Sequence, residues 1–287
     1  MKTIGFIGLG IMGESMCERI MAAGYPVIAF DVDRDRVTAM EKKSARAAES
    51  LADVASATET IITMVPASEH VEAIVKNILP HIKKGSLLVE MSTISPAVSK
   101  HCADLIAKRG SRMIDAPVIK SKAAAISGDL GILVGGKRAD FEAALPILQC
   151  MGKNIIHMGP NGTGLAMKIC HNLLVAEIQN GVNEMLVLAN QCGLVFDDVI
   201  AAIKAGGGQN FYLDTKAASI KDRDFAPKFP FEHMHKDLGI AKDLCSSIGL
   251  KLPGAKLVRS IYKKGIKRAL GRKDFSAAYE IVESQSR

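Results

Sequence analysis

GFIGLGIMGESM, residues 5–16, carries Gly8, Gly10 and Gly13 in G-x-G-x-x-G spacing. Glycine is common and short patterns arise by chance, so the flanking residues decide what this run is. Before it, TIGFIGL (3–9) is a β-rich apolar run that stops at glycine. After it, a helix is expected from about Met12 to Ala23, ended by Gly24. Strand, glycine turn and helix form the context that a dinucleotide-binding fingerprint needs. The first glycine permits the tight turn, the second lets a pyrophosphate approach the backbone, and the third lets helix and strand pack closely. Gly8, Gly10, Ile11, Met12 and Gly13 then form the cofactor turn, with the diphosphate at the positive helix N-terminus. An acidic residue is expected about 20 residues on, at the end of the second strand. Asp31 in VIAFDVD (27–33) fills that place. Its carboxylate suits the ribose hydroxyls of NAD and repels the 2′-phosphate of NADP, which favours NAD. Arg34 is the nearby cation that could hold such a phosphate.

Outward from this turn, strand-like and helical stretches alternate. Strands are expected at 60–66, 86–93, 112–119, 130–136 and 154–159, and helices at 34–47, 69–79, 96–109 and 138–151. Alternation of this kind predicts an α/β fold with a mainly parallel sheet and helices on both faces. After Gly159 the strand signal stops. PNGTG (160–164) reads as a turn. The next 28 residues, 165–192, hold no proline and read as one long helix with Gly193 as its C-cap. The remainder reads as helices at 197–205, 210–221, 232–249, 253–268 and 273–284. The expected organisation is a Rossmann-type dinucleotide-binding domain, 1–162, and an all-α substrate and oligomerisation domain, 163–287, joined by the long helix.

Composition narrows the functional classes. The chain has 287 residues, 48% hydrophobic and 23% charged, a globular balance. No apolar run reaches the length of a membrane span. Met1-Lys2 leads directly into the first strand, so no signal peptide is expected. Six scattered cysteines without a C-x-x-C pair argue against a zinc site or a disulfide framework and fit a reducing cytoplasm. The net charge of +7 is spread along the chain, with no Lys/Arg block and no interleaved aromatics, so neither nucleic acid nor a membrane is expected as a partner.

Six ordered blocks cover nearly the whole chain: GFIGLGIMG, TMVP, EMSTISP, DAPV with AISGDLGILVGG, GTGLAMKICHN, and HKDLGIAKD with GLKLP. Together they resemble the β-hydroxyacid dehydrogenase family, which includes 3-hydroxyisobutyrate dehydrogenase, tartronate semialdehyde reductase and 6-phosphogluconate dehydrogenase. The resemblance implies an NAD(H)-dependent oxidoreductase acting on a short anionic hydroxy compound and its semialdehyde or keto form. It implies that Lys168 is the catalytic general acid/base, and helix geometry puts Asn172, four residues on, on the same face to orient the substrate. A lysine in a desolvated site can exchange protons near neutral pH. Ser92 and Thr93 end a parallel strand, where ligands of α/β folds bind; by resemblance they face nicotinamide and substrate, and either could instead cap the helix starting near Ser95-Pro96. Met64, Val65 and Pro66 would line the adenosine side as an apolar wall, with a plain core role as the alternative for Met64. Lys236 is implied to approach the cofactor from the C-terminal half, and Asp237 to hold a helix start or an ion pair. His171 and His235 read as ordinary histidines.

One block departs from the family. After DAPV many members carry Ser-Gly-Gly, which binds the substrate carboxylate; here Ile119-Lys120-Ser121-Lys122 stands instead. Sulfolactaldehyde reductases of the same family carry a basic residue followed by a hydroxyl residue at this place. Lys120 and Ser121 therefore suit a strong anion such as a sulfonate, with three acceptor oxygens. Alternatively Lys120 and Lys122 point to solvent and the substrate is an ordinary carboxylate: succinic, methylmalonate or tartronate semialdehyde, or glyoxylate. Two other classes are weighed. A non-catalytic NAD-binding scaffold would lack the lysine, as would an imine reductase, whereas Lys168 and Asn172 are both present. The resemblance also implies a homodimer or homotetramer.

Overall fold

The computed structural model describes residues 2–286. Nine strands are present among them: β1 (Ile4–Ile7), β2 (Val27–Phe30), β3 (Arg46–Ala47), β4 (Thr60–Thr63), β5 (Leu87–Glu90), β6 (Arg112–Asp115), β7 (Val118–Ile119), β8 (Leu130–Gly135) and β9 (Gly152–Gly159). The helices among them are α1 (Gly13–Ala22), α2 (Arg34–Glu41), α3 (Leu51–Ala57), α4 (Ser68–Ile78), α5 (Pro96–Lys108), α6 (Lys122–Ser127) and α7 (Arg138–Met151), then the long α8 (Thr163–Gln191). They continue with α9 (Phe196–Lys204), α10 (Phe211–Lys221), α11 (Phe231–Ser247), α12 (Pro253–Lys267) and α13 (Ala278–Gln285), with a 3₁₀ turn (Phe275–Ala277) before the last.

The strand order is β3-β2-β1-β4-β5-β6-β8-β7, with β9 beside β8. Strands β1 to β6 run parallel, β8 is antiparallel to β6 and β7, and β9 is parallel to β8. The α/β Rossmann-type fold expected from the alternation is therefore present, followed by a helical remainder. The apolar runs at the sheet centre are buried along their whole length, as parallel strands covered on both faces must be. The order reverses between β2 and β4, on either side of β1, and the crevice at such a reversal is where α/β folds bind ligands.

Several expected spans are corrected. The helix expected over 34–47 stops at Glu41, and its tail forms β3 against β2. Ser44 takes a left-handed backbone (φ 77°), which ends the helix and turns the chain. The segment read as one strand over 112–119 breaks at Ala116-Pro117 into β6 and β7. A proline within a strand removes a ladder donor. Helices α3 and α6 were not anticipated. α3 begins with a capping box: the Asp53 amide donates to Ser50 Oγ (3.2 Å) and the Ser50 amide to Asp53 Oδ2 (2.9 Å). Thr163 and Gly164, read as turn, already belong to α8.

The chain divides into two compact units, and the division falls inside α8: Lys168 closes the first and Ile169 opens the second. The second unit has its own core. Gly265 in α12 makes room for the Phe231 ring, since a Cβ there would lie 2.2 Å from it. Phe231 stacks on Tyr262 with ring centroids 4.4 Å apart.

Candidate active site

The glycine turn is built by close approach of backbones. Gly8 has φ +98° and sits against the end of β4, where a Cβ would meet Met64 O at 2.2 Å. Gly13 opens α1, and a Cβ there would lie 2.0 Å from Gly8 O. Gly10 differs: the nearest atom to its Cβ position is Arg36 Nη1 at 3.5 Å. Gly8 and Gly13 thus set the shape of the turn, and Gly10 supplies its open face. Met12 stands at the N-cap of α1 without a side-chain cap bond, Ile11 is exposed, and Met12 packs on the core. This is the shape an anion-binding helix start requires.

Asp31 is buried beside this turn. Its Oδ2 accepts the Leu9 amide (2.6 Å) and its Oδ1 accepts the Asp33 amide (2.9 Å). Each carboxylate oxygen has a second acceptor site, so the group remains able to take ribose hydroxyls. Arg34 does not face it. Its guanidinium donates to Ala48 O (2.9 Å) and pairs with Glu49. The cation near the turn is Arg36, with Nη1 3.9 Å from Asp31 Oδ2 and Nε 3.1 Å from Asp33 Oδ2. Sequence distance to Asp31 misidentifies the arginine, because Arg36, two residues further along α2, is the one whose guanidinium reaches Asp31 and Gly10.

The ends of β4 and β5 are tied together. The Val65 amide donates to Ser92 Oγ (2.9 Å), and the Ser92 amide donates to Glu90 Oε1 (2.7 Å). Ser92 is fully buried, while Thr93 is half-buried and Pro66 exposed. Neither Ser92 nor Thr93 caps α5: Ser95 holds the N-cap position with no side-chain cap bond, and its amide donates to Ser68 Oγ. Met64 packs on one core and Val65 on another, so both have structural duties as well.

The loop after β7 keeps the backbone of a glycine without the glycine. Lys120 has φ +78°, a left-handed conformation that costs a side-chain-bearing residue about 1 kcal/mol. Its Nζ is 2.5 Å from Asp129 Oδ2, and Lys153 approaches the other oxygen at 3.9 Å. Lys120 thus points neither to bare solvent nor to an uncompensated anion site: a carboxylate already meets it. Hydrogen bonding to Lys120 holds the Asp129 carboxyl below the usual range. Ser121 is the N-cap of α6 but makes no cap bond, and Lys122 is exposed.

On α8, Lys168 is only 6% exposed, so it does not belong to the solvated face of the helix. Asn172, one turn later, is buried as well. Its Nδ2 donates to Asp237 Oδ2 (2.6 Å) and its Oδ1 meets His171 Nδ1 at 3.1 Å. Asp237 lies in the middle of α11, not at a helix start, and its other oxygen is 3.4 Å from Lys236 Nζ. Asp237 therefore fixes the Asn172 amide and carries the negative charge beside Lys236. Burial lowers the pKa of both His233 and His235.

The family model described as the NAD binding domain of 6-phosphogluconate dehydrogenase matches residues 3–159. A second, the NAD-binding domain of NADP-dependent 3-hydroxyisobutyrate dehydrogenase, matches residues 162–282. The chain belongs to the β-hydroxyacid dehydrogenase family. Human mitochondrial 3-hydroxyisobutyrate dehydrogenase is 36% identical over 98% of this chain and 87% of its own length. The NAD-dependent L-serine dehydrogenase of Pseudomonas aeruginosa is 33% identical over 99% and 98%. The solved structure of Mycobacterium tuberculosis 3-hydroxyisobutyrate dehydrogenase with L-serine superposes with a TM-score of 0.92, at 30% identity and 98% coverage of both chains. As a β-hydroxyacid dehydrogenase the chain is an oxidoreductase acting on a CH–OH group with NAD, and its glycine cradle and Asp31 fit that dinucleotide.

Two residues of this dehydrogenase have partners that the sequence does not reveal. Asp237, expected at a helix start or in an ion pair, does pair with Lys236 but also holds Asn172. Asp115, at the end of β6, was seen merely as part of DAPV, yet it is fully buried and accepts two amides from the start of α8. A buried carboxylate of this kind could have been suspected from an Asp ending an otherwise apolar strand. Its partners, 47 and 50 residues away, could not.

Proposed function

We propose that this dehydrogenase interconverts a short 3-hydroxy acid and its semialdehyde, with Lys168 as general acid/base and Asn172 as the substrate-orienting amide. The observation that carries this reading is the buried pair one turn apart on α8, with the Asn172 amide fixed by Asp237. NAD, when bound, supplies the two-electron oxidant or reductant. Gly8, Gly10, Ile11, Met12, Gly13 and Asp31 would hold it, with Met64, Val65, Pro66 and Thr93 as its further neighbours. In oxidation the neutral Lys168 amine takes the proton of the substrate hydroxyl; in reduction its ammonium returns a proton to the carbonyl oxygen. Asn172, held by Asp237, limits the orientations in which that transfer can occur. The named relatives act on 3-hydroxyisobutyrate and on L-serine, which share a primary alcohol one carbon removed from the carboxylate-bearing carbon. The test is turnover of a panel of methylmalonate, succinic and tartronate semialdehydes, glyoxylate, L-serine and sulfolactaldehyde, with Lys168→Ala as control. No turnover of any of them by protein that binds NADH would sink the substrate class.

A second substrate reading, a sulfonate, rests on Lys120 and Ser121 in place of Ser-Gly-Gly. Asp129 weakens it by neutralising Lys120. Lys120→Ala separates the two. If Lys120 reads the anion, KM for the best substrate rises about tenfold or more, the worth of one charge-assisted hydrogen bond. If Lys120 serves only to close the loop on Asp129, KM stays within twofold. Highest kcat/KM on sulfolactaldehyde together with the raised KM would make the sulfonate reading the better one.

We also propose that the chain forms a homodimer, or a tetramer built from it, through α8. Leu174 (57% exposed) and Leu188 (66% exposed) flank Gly181, at intervals of seven residues that place all three on one stripe. No atom lies within 4 Å of a Cβ built on Gly181. An apolar stripe on a helix in water marks an association surface. Sedimentation at micromolar concentration is expected to show a dimer or larger, and Leu188→Glu to shift it toward monomer. A monomeric parent protein would end the proposal.

A further inference from the structure

We propose that Asp115 is a positioning residue for the reaction: from the end of β6 its carboxylate holds the first turn of the helix that carries Lys168. The inference rests on Lys168 being the acid/base.

The geometry is that of a helix cap supplied from a distant strand. Gly162 precedes α8 and has no side chain with which to cap it. Asp115 Oδ1 accepts the Gly162 amide (2.6 Å) and Oδ2 accepts the Leu165 amide (2.9 Å). These are amides that a helix start otherwise leaves unsatisfied. Leu165 is three residues before Lys168, so the clamp acts within one turn of the proposed acid/base. The surroundings leave room for the carboxylate and nothing else. A Cβ on Gly135 would lie 2.5 Å from Asp115 Oδ1, and one on Gly164 would lie 2.3 Å from Leu133 O and 2.9 Å from Asp115 Oδ2. Two glycines, on β8 and on α8, thus shape the space around one buried charge.

The charged form is held at a cost. Burial pushes the Asp115 carboxyl up to about 6, and the amides of Gly162 and Leu165 pull it only part of the way back. A raised carboxyl pKa means that this group's contribution to stability is greatest below its unfolded value, near 4, and is lost as pH rises through about 6. Stability alone would therefore be better served by a neutral group. The other charged groups on elements packed against β6 do not replace it. Glu90 on β5 is its register neighbour and accepts the Ser92 amide. Asp140 on α7 pairs with Arg112 at the opposite end of β6, while Arg138 and Glu142 pair with each other at the surface. Lys100, His101, Asp104 and Lys108 on α5 are exposed, β8 carries no charge, and the first turns of α8 carry only Lys168.

The experiment compares kcat, KM for NADH and the pH profile of kcat for the parent protein, Asp115→Asn and Lys168→Ala. Asparagine keeps the size but sets an NH₂ against one of the two amides. For a positioning role, Asp115→Asn lowers kcat at least tenfold, keeps KM for NADH within twofold, and removes an acid limb that the parent shows near pH 6. A merely structural role would leave the kcat profile unmoved whatever the change in melting temperature, and that result overturns the inference. If Asp115→Asn does not fold, the parent profile decides: a flat kcat from pH 5 to 7 overturns the inference, and a limb near 6 supports it. Full activity of Lys168→Ala would instead overturn the acid/base reading. An inactive Lys168→Ala beside a fully active Asp115→Asn would overturn the positioning role alone.

Discussion

Lys168→Ala is expected to lower kcat about 10³-fold, in the middle of the range for loss of a general acid/base, while NADH affinity stays within about twofold. The expectation follows from where the side chain is and from what the substitution leaves alone. Lys168 is buried on an unbroken helix, so its ammonium is withheld from bulk water and is not one of many interchangeable surface cations. Alanine is the best helix former, so α8 itself is not weakened. None of the glycine turn, Asp31 or the Ser92–Val65 tie includes Lys168, so the dinucleotide keeps its cradle. Stopped-flow NADH oxidation gives kcat, and calorimetric titration with NADH gives the binding. Partial rescue of the variant by small primary amines would identify proton transfer as the lost step. A variant retaining a tenth or more of the parent kcat would remove Lys168 from the chemistry.

Gly13→Ala is expected to raise the Kd for NADH about 100-fold and also to destabilise the fold. The new methyl carbon would stand 2.0 Å from Gly8 O and 3.4 Å from the Phe6 ring, so the turn between β1 and α1 must move. A moved turn loses at least one or two amide–phosphate hydrogen bonds, each worth about 1.5–3 kcal/mol when one partner is charged. Roughly 2.7 kcal/mol corresponds to the 100-fold change. Overpacking adds a stability cost of about 1–3 kcal/mol. Gly10→Ala is the informative contrast. Its Cβ meets only the end of a flexible arginine side chain at 3.5 Å, so the fold should keep its melting temperature while NADH binding weakens. Normal NADH affinity in Gly13→Ala would show that the turn does not hold the dinucleotide.

The readings that the structure supports are the local ones. Gly8, Gly10 and Gly13 lie within six residues, and Asp31 reaches back to Leu9 from the end of the next strand, so their spacing is enough to expose the glycine turn and its acidic partner. The long helix was legible because nothing in it breaks helical geometry. The readings that needed correction depend on partners. Arg34 and Arg36 are equivalent as letters, and the packing of α2 against the sheet chose which one faces the turn. Lys120 looked like a cation waiting for a ligand until folding brought Asp129 against it. Helix α3 was missed despite its Ser50–Asp53 box, because its apolar face is short and its period weak.

By itself the sequence determined the alternation of strands and helices followed by a helical remainder, the glycine turn with its acidic partner, and the family to which these blocks belong. These follow from backbone preferences and from contacts between residues near in the chain. Only the tertiary structure decided which buried charges act together. Asp115 meets the start of α8 from 47 and 50 residues away, and Asp237 meets Asn172 from 65 residues away. An ionised carboxylate can be buried only where donors converge on it. Folding brings those donors together, and no spacing in the chain reveals them.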